Sequence, residues 1–146
     1  MNALRTLLKL ARRDLETLRL AFAKELAKQT ANQDRILGHE QTIRDEQKAA
    51  QRDYESARAY GGYAAGAIAV RRALAAEGET IAQEIDRLRA LIADAHVETR
   101  KFERLIQFEE ERRAAALAKR ENAELDEFAT LTAGRQLARA RKTSPT

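Results

Sequence analysis

Few residues in this chain could do chemistry. His39 and His96 are its only imidazoles, and neither has the i, i+4 companion that an HExxH zinc helix requires. Both therefore read as solvated helix surface. There is no cysteine, which removes disulfides, thiolate nucleophiles and thiolate metal sites and is compatible with a reducing compartment. No GxxxxGK[ST] loop is present to cradle a nucleotide's phosphates. The run Glu109-Glu110-Glu111 followed by Arg112-Arg113 places opposite charges at helical-neighbour spacing, as an ion-paired helix face does. Tyr54, Tyr60 and Tyr63 cluster in one stretch; amphipathic rings of this kind either contact a partner protein or pack a turn. No catalytic residue, metal ligand or cofactor-binding residue stands out, and no small-molecule substrate is indicated. The chain reads as a non-enzyme.

The elements that must position these residues follow from composition. Charged residues make up 34% of the chain, tryptophan is absent and the single proline is Pro145. An Ala/Leu/Glu/Arg-dominated alphabet of this kind describes long helices or a coiled coil. The expected fold is all-α, with most burial on a one-residue-wide seam that leaves no interior able to shelter a reaction from water. No apolar run approaches the roughly 20 residues of a membrane span. Arg5 and Lys9 interrupt the first leucines, so no uncharged signal-peptide core forms. The expected location is cytoplasmic.

Gly61-Gly62 is the only adjacent glycine pair, and glycine is the residue that lets a backbone reverse without strain. The expected architecture is therefore a single antiparallel coiled-coil hairpin over 1–140, with arm one at 3–58, a turn at 59–66, arm two at 67–140 and a disordered basic tail at 141–146. Folding there pairs Tyr54 with Val70, Ala50 with Leu74, Ile43 with Ile81, Ile36 with Leu88, Phe22 with Phe102 and Leu18 with Ile106. Glu40 faces Ile85, Gln33 faces Ile92 and Leu26 faces Thr99. Both arms step by threes and fours. Arm one breaks its heptad once, at Leu18-Phe22-Leu26, as a stutter would.

In that register arm two overhangs. Leu4, Leu8 and Leu15 lack apolar partners, and Leu125, Phe128 and Leu131 have nothing to face; such bare apolar positions mark a site for another molecule. Basic residues follow directly. The chain has 27 basic and 23 acidic side chains, and its excess of +4 resides in Arg135, Arg139, Arg141 and Lys142. A basic pole on a balanced shaft favours an acidic protein partner. Without a continuous basic stripe, nucleic acid is not an expected ligand.

The segment Glu111-Arg112-Arg113-Ala114-Ala115-Ala116-Leu117, then Lys119-Arg120-Glu121 and Glu124-Leu125-Asp126-Glu127-Phe128-Ala129, resembles the ending of the flagellar export protein family FliJ. The length, leucine-rich N-terminus, hairpin plan and basic end are similar too. The resemblance implies a cytoplasmic, stalk-like and chaperone-associated component of the flagellar type III export apparatus, peripheral to the inner membrane and serving motility. Its implied partners are the hexameric export ATPase, the export gate and export chaperones. On this reading Leu4, Leu8, Leu15, Leu125, Phe128, Leu131, Arg135 and Arg139 meet the ATPase ring, while Tyr54, Tyr60 and Tyr63 meet the gate. A structural or adaptor coiled coil, such as the equivalent stalk of a non-flagellar secretion system, is the alternative.

Overall fold

The computed structural model describes residues 2–143. They form two helices, α1 (Asn2–Ala50) and α2 (Tyr54–Thr143), which pack against each other. The chain divides into two compact units: Lys9–Thr99, and the start of α1 up to Leu8 together with α2 from Arg100 onward.

Lys9–Thr99 is the helical hairpin. Its turn is Gln51-Arg52-Asp53, well before the glycine pair that was expected to form it. The amides of Gln51 and Arg52 donate to the carbonyls of Lys48 and Ala49 at 3.2 and 3.1 Å, tightening the end of α1. Asp53 is the N-cap of α2: its carboxylate accepts the Ser56 amide at 2.7 Å, and its carbonyl accepts the Ala57 amide at 3.1 Å. That amide holds the Asp53 carboxyl below its ordinary range. Gly61 and Gly62 lie inside α2, and no described glycine has positive φ. Glycine permits a reversal but does not impose one; a capped start at Asp53 instead sets Tyr60, Ala64 and Ala67 beside Ile43 and Gln47. Arm one therefore ends at Ala50, and the expected turn at 59–66 is helix. The expected tail is corrected as well: Arg141, Lys142 and Thr143 complete α2, whereas 144–146 lie outside the described residues.

The register changes with the turn. Asn32 sits against Gly78, so close that a Cβ built there would stand 2.8 Å from Asn32 Oδ1. Asn32 Nδ2 donates to the Leu74 carbonyl at 3.0 Å, and His39 Nε2 donates to the Ala67 carbonyl at 3.0 Å. Counting from Asn32 and Gly78 by threes and fours puts Ile36 with Leu74, Gln29 with Ile81, Phe22 with Leu88 and Leu18 with Ile92. The Arg89 guanidinium, 5.8 Å over the Phe22 ring, agrees with this count. The expected pairings of Tyr54 with Val70, Ala50 with Leu74, Phe22 with Phe102, Leu18 with Ile106, Ile36 with Leu88 and Ile43 with Ile81 are thus replaced, Tyr54 being the first residue of α2 itself. So are those of Glu40, Gln33 and Leu26, because α1 keeps an unbroken heptad through Phe22, Glu25, Gln29, Asn32, Ile36 and His39. Leu26 is correspondingly exposed and Glu25 half-buried. The stutter does not exist: it arose from preferring a leucine to a glutamate at a seam position.

The buried core is small: Ala11, Leu15, Ala67, Ile81, Ile85 and Leu88, with Asn32 and Thr99 as buried polar residues. Ion pairs flank it, Arg35 with Glu77 at 2.7 Å and Arg71 with both carboxylate oxygens of Glu40 at 2.6 and 2.8 Å. The Arg71 guanidinium lowers the Glu40 carboxyl from its ordinary range.

Gly61→Ala and Gly62→Ala, with open space at each Cβ, should each raise stability by about 1 kcal/mol, the helix-interior cost of glycine. Gly78→Ala should destabilise by roughly 1 to 2 kcal/mol, because it pushes a buried amide off its carbonyl; in an Asn32→Ala background the same change should stabilise. Chemical-denaturation midpoints of the four chains would show this reversal of sign. Asp53→Ala should lower the melting temperature at neutral pH, whereas Asp53→Ser should not. Since the folded Asp53 carboxyl titrates below its ordinary 3.8, its stabilisation is present above that value and fades as pH falls through the lowered one. Melting curves of wild type and Asp53→Ala should therefore converge in acid.

Candidate functional site

In the second unit, Arg5 on the first turns of α1 reaches Glu110 at 3.4 Å. Residues 114–143 of α2 run past that level, and among them only Thr132 is even half-buried. This is a bare helix. Leu125 is 64% exposed, Phe128 68% and Leu131 57%. Leu117 and Leu137, which were not singled out in the sequence, are comparably exposed. The reason for the exposure is that α1 starts at Asn2: in the register set by Asn32 and Gly78, Leu4 falls with Ile106, and no described residue of α1 lies opposite α2 from Arg113 onward. Arg135 and Arg139 follow on the same helix and are exposed. Among the described residues, none of the charged side chains from Lys119 to Lys142 forms an ion pair.

The leucines of α1 behave differently from α2's apolar residues. Leu4 and Leu8 are half-buried, and by the heptad count they fall with Ile106 and Phe102, so the expectation that they lack apolar partners is corrected. Leu15 is 6% exposed and belongs to the hairpin core, so the expectation that it lacks a partner is corrected. The register set by Asn32 and Gly78 places Ala95 and its neighbours opposite Leu15. Leu7, Leu105 and Phe108 are exposed beside the half-buried leucines of the second unit; they lie off the seam, where heptad counting gives no signal for them.

At the hairpin turn Tyr54 is 80% exposed, while Tyr60 and Tyr63 are half-buried with ring centroids 6.0 Å apart. Burial and the nearby Glu46 carboxylate raise the Tyr63 hydroxyl above its ordinary value. Tyr60 also lines a cleft of about 180 Å³ with Ile43, Gln47 and Arg71. Of the three rings, only that of Tyr54 is fully available to a partner.

A larger groove, about 730 Å³, runs beside Ile81. Its walls are ion-paired, Lys28 with Glu25 at 2.9 Å and Arg87 with Glu84 at 2.6 Å. Each pair satisfies its own charges, which lowers the Glu84 carboxyl and raises the Lys28 ammonium. His39, expected on solvated surface, is half-buried and donates to a backbone carbonyl. His96 is exposed and accepts from Arg19 at 3.3 Å. Glu109 pairs with Arg113 at 3.6 Å, as the charge run predicted for a helix face. Among the described residues no group of His, Asp and Glu could hold a metal ion, and no helix is long and apolar enough to cross a membrane.

Comparison with known proteins gives one finding. The family profile described as "Flagellar FliJ protein" matches residues 1–138 of the 146-residue chain. No curated protein and no solved structure matches it.

The two sets of apolar residues should separate in a stability measurement. Leu15→Ala should cost about 2 to 3 kcal/mol, at the lower end of the range for a buried leucine because the seam is narrow. Phe128→Ala should stay within about 0.5 kcal/mol of wild type. Urea midpoints would check both.

Proposed function

Because this chain belongs to the flagellar FliJ protein family, we propose that it acts as a stalk-like coiled coil binding the export ATPase ring and linking it to the export gate and export chaperones. The family fixes the coarser statement: the chain is a flagellar export component, and the family is non-catalytic. The observation that carries the finer reading is the bare end of α2. Leu125, Phe128 and Leu131 stand 57–68% exposed on it, with Arg135 and Arg139 following. Apolar side chains buried on binding supply affinity, and the arginines steer toward acidic residues and raise the rate of encounter. Leu4 and Leu8, half-buried, add a rim. Leu15 contributes by holding the hairpin together and not by contact.

At the turn of the hairpin, Tyr54 offers the exposed ring for a contact with the export gate, with Tyr60 and Tyr63 packed behind it against α1. Such work is mechanical, requires no cofactor or metal, and places the chain in the cytoplasm beside the inner-membrane apparatus.

Deletion from Glu124 onward, or Phe128→Ala, should leave the helicity and melting of the hairpin unchanged. It should abolish stimulation of the purified export ATPase, and raised salt should weaken the wild-type complex through its arginines. Full stimulation by the truncated chain would contradict the ring contact. It would leave an adaptor coiled coil, engaged through the tyrosine-bearing turn, as the reading to pursue.

A further inference from the structure

Beyond Glu110, α2 carries a second heptad stripe in a different phase from the seam. It runs through Glu121, Glu124, Phe128, Leu131, Arg135 and Ala138, stepping by threes and fours on one continuous helix. Leu117 and Lys142 extend it at either end. The stripe is acidic in its first half, apolar at its centre and basic in its second half. Among the described residues its charges have no ion partner within the chain.

From this pattern we propose that the stripe pairs antiparallel with the same stripe of a second copy of this chain, about a two-fold axis between Ala129 and Thr130. In that register Phe128 meets Leu131 of the second copy and Leu131 meets its Phe128, two symmetric apolar layers at the centre. Glu124 meets Arg135 on each side. Glu121 lies beside Ala138 and Arg139, and Leu117 lies under the aliphatic stem of Lys142. Every residue finds a complementary one because the two-fold exchanges the halves of the stripe. A parallel pair would stack Glu124 on Glu124 and Arg135 on Arg135, so the charge order selects the antiparallel arrangement. With only two large apolar layers the interface is small and the dimer weak, and its charge pairs make it tighter at low ionic strength.

The pairing is independent of the ring-binding reading and is measurable without any export component. It does have a consequence for that reading: pairing covers Phe128 and Leu131, so a paired chain is unavailable to a ring that uses the same face.

Sedimentation equilibrium of the full chain at low salt, up to about 1 mM, tests the proposal with charge exchange. Wild type should show a concentration-dependent dimer. Glu124→Arg and Arg135→Glu should each weaken it at least tenfold, because each places like charges at both flanks. An equimolar mixture of those two variants should dimerise at least as well as wild type, since each supplies what the other lacks. The double variant Glu124→Arg/Arg135→Glu should also recover. Circular dichroism of these surface variants should match wild type. A chain that stays monomeric across that range, or a dimer indifferent to both single exchanges, or a mixture that fails to pair, would overturn the proposal.

Discussion

A buried asparagine against a glycine sets the register on which the hairpin depends. Asn32 is 3% exposed in a seam one residue wide, and an amide so placed must keep its hydrogen bonds or lose about 1 to 3 kcal/mol. Its Nδ2 finds the Leu74 carbonyl, an oxygen with a second lone pair available beside its helical bond. The approach requires Gly78, since any side chain there would occupy the space of Asn32 Oδ1. Sliding α1 by a heptad would set Asn32 against Ile85 or Arg71 in place of Gly78, where a side chain would keep the amide from the backbone carbonyl. The layer adds little cohesion by itself. It makes other registers unfavourable, the use best attested for a polar residue in a coiled-coil seam.

The rest of the hairpin then follows from that layer. Ile81, Ile85 and Leu88 form a short apolar run on α2, opposite Gln29, Glu25 and Phe22 of α1. The helix pair is thus held by few large side chains, and its exposed ion pairs add modestly. The contrast with the end of α2 is one of phase. Up to Ile106 the seam positions are mostly apolar; after Glu109 they turn polar, and the apolar residues move to a different face of the same helix. One helix consequently serves two purposes, closing the hairpin with its first half and presenting a bare face with its last thirty or so residues.

Helix content, the two-helix plan, the seam of α2 and the family were all legible in the sequence. The exposure of Leu125, Phe128 and Leu131 was legible too, because no arrangement of α1 could reach them. The turn was not. A glycine pair is the louder signal, yet Asp53 followed three residues later by Ser56 is the local pattern that starts α2, and it is short enough to pass as ordinary helix surface. The α1 seam was misread for a related reason. Hydrophobicity alone favours Leu26 over Glu25 and does not separate Gln33 from Asn32, and only the carbonyl partner across the seam selects Asn32. Once the turn moved, every cross-helix pairing moved with it, including that of Leu15, which passed from an expected contact surface into the core.

The register is best tested by distances between exposed positions, where spin labels do not disturb packing. Arg35 and Glu77 are ion-paired at 2.7 Å and both reach solvent; position 89 lies twelve residues further along α2, about 18 Å at the helical rise. Pulsed electron resonance on chains labelled at 35 and 77, and at 35 and 89, should find the first pair short and the second clearly longer, because that axial offset adds to the lateral separation of the helices. The opposite order, with 35 close to 89, would mean that the chain reverses at its glycine pair and that the Asn32 layer does not form.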